Sequence, residues 1–232
     1  RPLKQMNGYA SFNEVFMTDA RVSAADVIGE VGQGWGAALT TLAHERRLAV
    51  SLFGRTQKGE GRALDEYRAE QASLMEPYKW YPQRAGRVDL VVKRAQDTGR
   101  NTDPTVRQQI AKLLSMARAS EWTAQRAREA RVLGRAPGPE GSLGKLSSSH
   151  IARAAAEVHT LISGSDSMLS GSDGAEDGII AEILVSVPGG SIAGGTDEIQ
   201  RNIISERALG LPKDPAVDVG KPFRDVPRNL SD

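Results

Sequence analysis

The chain has 232 residues, of which 39% are hydrophobic and 25% charged, the balance of a globular fold with enough apolar side chains for a core. Its 30 basic and 29 acidic side chains leave a net charge of +1, which argues against a nucleic acid or a membrane surface held by bulk charge. Cysteine is absent, so disulfides, thiol catalysis and thiolate metal sites are excluded.

Only His44, His150 and His159 offer imidazole. They fall in separate segments, and no metal site is expected. No apolar run approaches the roughly 18 residues of a membrane span, and no signal-like apolar core opens the chain; a cytoplasmic location is the expectation. The chain opens on Arg1 rather than Met, and so reads as a fragment or processed product of something longer.

In chain order, Phe12, Val15 and Phe16 stand beside polar neighbours and read as one or two short strands. Gly32 and Gly34 break that pattern. From Trp35 to about Phe53, Leu39, Leu42, Ala49, Val50 and Phe53 recur at roughly helical spacing, and a helix is predicted. Residues 54–86 mix a helical run near 62–75 with Pro77, Pro82 and the aromatic cluster Tyr78, Trp80 and Tyr81; the segment reads as an inserted loop or disordered excursion. A short helix is predicted over 87–97. Asp103 then caps a long helix with Pro104 in its first turn, running to Gly134. Another long helix is predicted over about 140–163, followed by a Gly/Ser-rich loop over 164–174 and a shorter helix over about 175–186. The last helix, 196–209, ends in "GLPKD", where a Gly and then a Pro stop it. The tail beyond 213 is polar and Pro-rich, expected to be loosely held. The fold class is therefore mainly α, a helical bundle behind a strand remnant.

The most pointed stretch is "SIAGGTDEIQRNIISERALGLP", residues 191–212. Thr196 is a sensible N-cap, its hydroxyl placed to accept from a backbone N–H of the first turn. Asp197 and Glu198 sit at the positive end of the helix dipole. A capped helix after two glycines needs no ligand; a loop shaped to admit one fits equally well.

"GGTDEIQRNIISERALGLP" closely resembles the C-terminal signature of flavin-dependent acyl-CoA dehydrogenases, the actinobacterial fatty-acid and sterol side-chain type in particular. "FNEVFMTDARVSAADVIGEVGQGWGAALTTLAHER" and "GPEGSLGKLSSSHIARAAAE" resemble two earlier stretches of that family, in the same order. The resemblance implies the C-terminal four-helix bundle of the acyl-CoA dehydrogenase fold over 32–212, with 54–86 an atypical insert. Residues 1–31 are then the end of the β middle domain, and 213–232 a flexible tail.

The resemblance also implies a chemistry: removal of two hydrogens from an acyl-CoA thioester to give a trans-2-enoyl-CoA. A carboxylate takes the α-proton, the β-hydride goes to FAD, and the electrons leave to an electron-transfer flavoprotein. Many members carry a Glu at the position of Gly194. Glycine has no proton acceptor, but its backbone N–H can still stabilise the developing enolate oxygen. A second arrangement in the family takes the base from the helix that opens the C-terminal domain, and here that position falls on Glu45. Thr41, Glu45, Leu48 and Leu52 share a partly apolar stripe, a setting that suits a general base. The plain alternative is that Glu45 pairs with Arg46 or Arg47 on a solvated face.

By the same resemblance Arg46, Gly194 and Gly195 are substrate-binding positions, and Thr196, Asp197 and Glu198 touch FAD at the helix N-terminus. A homo- or hetero-oligomer, dimer or tetramer, is implied. The family's "R-x-x-F-G" and "Q-x-x-G-G" segments and the "R-D" pair before the final loop have no counterpart here. Two further readings therefore stay open: a non-catalytic partner subunit of a heteromeric dehydrogenase, and a helical scaffold with no redox role.

Overall fold

The computed structural model describes residues 1–53, 59–135, 138–213, 215, 218 and 220–226, with the side chains of 46–53 left aside. Half of the expected tail, residues 54–58 of the expected insert, and the side chain of Arg46 lie outside the described residues.

The chain divides into two compact units, 1–79 and 80–232. In the first, β1 (Pro2–Leu3) pairs antiparallel with β2 (Phe12–Asn13), Leu3 opposite Phe12. Val15 and Phe16, expected to extend a strand, lie outside both. The helix α1 (Gly34–Phe53) begins one residue before the predicted start at Trp35, taking in Gly34, and ends at the predicted Phe53. The segment expected to be a loop is largely helical instead: α2 (Arg62–Met75) fills the predicted helical run, and a short 3₁₀ turn, Glu76–Tyr78, follows it. No residue of α2 is buried. Its stability draws on exposed one-turn pairs such as Arg62–Glu66 at 2.7 Å, worth a few tenths of a kcal/mol each.

The second unit begins with α3 (Tyr81–Arg84) and α4 (Val88–Asp97). Asp103 opens α5 (Pro104–Val132): its Oδ1 accepts from the backbone N–H of Thr105 at 2.8 Å and of Val106 at 3.3 Å. Pro104 follows it, at a position where the missing N–H has no intrahelical partner to lose. Then come α6 (Glu140–Ser163), α7 (Ile179–Ser186) and α8 (Asp197–Arg207).

The central element is α6, which packs against α4, α5, α7, α8 and the turn at 187–191. Its alanines let neighbours close in. Ala155, Val158 and Ile162 meet Val91 and Ala95 of α4 and Val106 and Leu113 of α5. On another side Ala152 and Ala156 meet Ile180, Ile183 and Val187. Ile180, Ile183 and Leu113 are fully buried, each contributing about 1.5–3 kcal/mol of apolar burial. This packing fixes the face of α6 against which the last loop and α8 are seated.

Candidate functional site

Residues 191–197 form the junction between the turn after α7 and the start of α8. Thr196 is the N-cap, with extended backbone, and its Oγ1 accepts from the N–H of Ile199 at 3.3 Å. The cap expected from the sequence is thus in place. Gly194 and Gly195 carry φ of +70° and +93°, the left-handed region that glycine enters without a Cβ penalty. A Cβ on Gly194 would meet nothing within 4 Å, whereas one on Gly195 would come within 2.7 Å of the Gln200 side-chain nitrogen. Gly194 therefore presents its backbone to open space.

Asp197 turns the other way. It is only 2% exposed. Its Oδ1 accepts from Lys145 Nζ at 2.9 Å, and its Oδ2 accepts from Ser149 Oγ at 2.6 Å and from Arg153 Nη2 at 2.8 Å. Burial alone would push this carboxyl up. The Ser149 and Lys145 hydrogen bonds and the charges of Lys145 and Arg153 outweigh it and hold the group down at about 2. Glu198, next in sequence, is exposed, and its carboxyl is lowered by hydrogen bonds from its own backbone N–H and the Thr196 hydroxyl.

A cleft of about 570 Å³ lies beside this junction, walled by Tyr81, Ala117, Ile151 and Ala193 and reaching Lys145 and Ser149. Arg84, Ser120, Glu121 and Ser148 add polar groups to its lining. Among the described residues no group of acidic or imidazole side chains could hold a metal ion, and no helix is long and apolar enough to cross a membrane.

A model of the acyl-CoA dehydrogenase C-terminal domain matches residues 84–209, over half of the chain and the whole of the 191–197 junction with its partners on α6. The chain belongs to the acyl-CoA dehydrogenase family. Acyl-CoA dehydrogenase IpdE1 of Mycobacterium tuberculosis is 31% identical over 223 residues, 92% of this chain and 48% of its own length. Its namesake in Mycolicibacterium smegmatis is 31% identical over 221 residues, again 92% of this chain and 46% of its own. The chain thus spans about half the length of these curated relatives. A solved structure described as the Tcur3481-Tcur3483 steroid ACAD matches with a TM-score of 0.63 at 20% identity, over 92% of this chain and 49% of that one. That likeness is one of fold, and it agrees with the mainly helical architecture expected from the sequence.

Set in this acyl-CoA dehydrogenase frame, the structure gathers Gly194, Gly195, Thr196, Asp197 and Glu198 in one loop and helix start. Glu45 belongs to the first unit, exposed on α1. Thr41, one turn before it, is exposed as well, and Leu48 and Leu52, which complete the expected stripe, lie outside the described side chains. Sequence reasoning missed Lys145, Ser149 and Arg153. Their spacing of four along α6, two cations around a serine, was the available signal: such a stripe marks one helix face able to seat a single anion.

Proposed function

We propose that this chain is the C-terminal portion of an FAD-dependent acyl-CoA dehydrogenase that converts an acyl-CoA thioester to its trans-2-enoyl-CoA. The observation that carries the reading is the signature loop, where Gly194 offers an outward backbone at the mouth of a capped helix. Family membership and relatives named acyl-CoA dehydrogenases support it.

In this reading Glu45 takes the α-proton onto its carboxylate. The Gly194 N–H donates to the thioester oxygen, stabilising the charge that develops there. Arg46 and Gly195 contact substrate. Bound FAD supplies the two-electron acceptor for the β-hydrogen, and an electron-transfer flavoprotein takes the electrons on. The loop fits such a cofactor through the α8 N-terminus, the Thr196 hydroxyl and Glu198. The Asp197 carboxylate does not fit that role, since both its oxygens are already committed to α6.

A second reading is favoured by Gly194 itself, which lacks a proton acceptor where many relatives place one: a non-catalytic partner chain in a heteromeric dehydrogenase. The paired name of the structural neighbour, Tcur3481-Tcur3483, is in keeping with it. The two are separated by expressing the intact protein with and without a co-expressed sister chain, recording flavin absorbance, and assaying enoyl-CoA formation for wild type and Glu45→Gln. A yellow, active enzyme that loses activity in Glu45→Gln supports the first reading, and unchanged activity overturns the base assignment. Flavin retained only with the sister chain, with activity indifferent to Glu45→Gln, supports the second.

A further inference from the structure

The loop that carries Gly194 is fastened at both ends to one face of α6. At its far end, Asp197 receives Lys145, Ser149 and Arg153, residues four apart that share a helical stripe. At its near end the Ser191 hydroxyl lies 3.4 Å from the hydroxyl of the same Ser149. Arg153 Nη2 also donates to Ser149 Oγ at 3.3 Å, so Ser149 is held between the two ends. From the first turn of α8, the buried Gln200 reaches back to donate to the carbonyl of Gly195 at 3.4 Å. Gly194 is left facing open space on a strap whose two anchors sit on the same helix.

An acidic residue whose task is only to offset the α8 dipole stays in water, as Glu198 does with a side chain 76% exposed even where it meets Arg201 at 3.5 Å. Asp197 instead gives up its hydration, with a side chain 3% exposed beside a Lys145 that is 18% exposed. A buried carboxylate persists when its oxygens are hydrogen-bonded, and here three donors from α6 engage both of them. Its low pKa keeps it charged throughout the neutral range.

We propose that Asp197 is a positioning residue rather than a cofactor ligand: through Lys145, Ser149 and Arg153 it locks residues 191–196 to α6 and so sets the direction of the Gly194 backbone. The proposal rests on the dehydrogenase reading for what that backbone faces. The lock itself does not depend on that reading. A donor to a developing oxyanion must be held in place before the reaction, because reorganisation at that moment would cost rate. Two glycines in the left-handed region supply no stiffness of their own, so the stiffness has to come from the anchors.

The test compares wild type, Asp197→Asn and Ser149→Ala in the flavin-loaded enzyme containing this chain, by amide hydrogen exchange, flavin content and steady-state kinetics. Asp197→Asn keeps the size but sets an NH2 against α6 donors, and Ser149→Ala removes the shared hydroxyl without introducing a charge. The expected result is exchange at least ten-fold faster in 192–196 with α5 unchanged, kcat down ten-fold or more, KM within two-fold and flavin content unaltered, with Ser149→Ala in between. A variant that loses flavin while loop exchange stays as in wild type overturns the proposal and makes Asp197 a cofactor ligand. Unchanged exchange in both variants overturns it as well. Should wild type form no enoyl-CoA, the dehydrogenase reading fails, and loop exchange alone still decides whether the lock exists.

Discussion

Arg94 Nη1 donates to His159 Nδ1 at 2.9 Å in the interior of the second unit, where His159 is 0% and Arg94 4% exposed. A guanidinium has no acceptor, so Nδ1 is the bare nitrogen and Nε2 carries the proton. Nε2 donates toward the carbonyls of Gly86 at 3.1 Å and Arg87 at 3.2 Å. Arg94 in turn reaches Glu176 at 3.1 Å and the Ser163 hydroxyl, joining α4, α6 and the turn before α7.

That geometry fixes a pH dependence. Burial first, and then the Arg94 charge, push the His159 imidazole below its ordinary 6.5; the two carbonyls and Asp89 oppose them without prevailing. The unfolded chain takes up this proton near pH 6.5 and the folded one does not, so stability is full above that pH and falls as pH drops below it. The slope from this group is at most about 1.4 kcal/mol per pH unit. Urea midpoints at pH 7.5 and 5.5 should separate in wild type and move closer together in His159→Gln, whose amide can accept from Arg94 and donate to the carbonyls. Equal separations would show that another group sets the slope.

Glycines at 86 and 194 share a positive φ, of +85° and +70°, but not a neighbourhood. A Cβ on Gly86 would lie 2.8 Å from both the Cα and the carbonyl oxygen of Ala152, and 2.9 Å from the Ala155 Cβ, whereas Gly194 faces open space. Gly194→Ala is therefore expected to cost only the backbone term of about 1–2 kcal/mol. Gly86→Ala adds a backbone clash to that term and is expected to cost at least about 3 kcal/mol in all. Denaturant midpoints of the two variants should rank in that order.

Capping gives a third expectation. Asp103→Ala frees the N–H groups of Thr105 and Val106, at about 1 kcal/mol, typical of a lost N-cap. Thr196→Ala frees that of Ile199 and should cost a similar amount, which Thr196→Ser restores because the acceptor oxygen is kept. Thermal midpoints of Asp103→Ala, Thr196→Ala and Thr196→Ser test all three; a Thr196→Ser no better than Thr196→Ala would mean that the methyl group, not the hydroxyl, holds the α8 start.

What the sequence made legible was local. Asp103-Pro104 and Thr196 announce helix starts because a cap is chemistry between near neighbours, and both lie where expected. The α1 limits follow from Gly34 and a 3.6-residue apolar period. The helix α2 was only half legible, because it buries no residue fully, its stripe of Leu64, Tyr67 and Met75 stays half-buried, and Pro77 follows close behind it. Asp197 misled for a different reason. An acid in a first turn satisfies the dipole argument completely, and nothing near it in sequence signals Lys145, 52 residues away. Long-range ion pairs leave a trace only in the stripe that receives them.

The Asp197 lock sets an acid limit distinct from that of His159. A carboxyl held at about 2 rather than 3.8 contributes stability that is complete above 3.8 and is lost as pH falls through about 2. Lys145→Met removes one of three donors and leaves Ser149 and Arg153 in place. The carboxyl then sits higher, and it is protonated earlier on acidification. Followed by circular dichroism in a pH titration, the variant should lose helix at a higher pH than wild type, while the His159-dependent slope between pH 7.5 and 5.5 stays as it was. A Lys145→Met titration that overlays wild type below pH 4 would mean that Arg153 and Ser149 alone hold Asp197 down, because the other carboxylates are common to both proteins and cancel in the comparison.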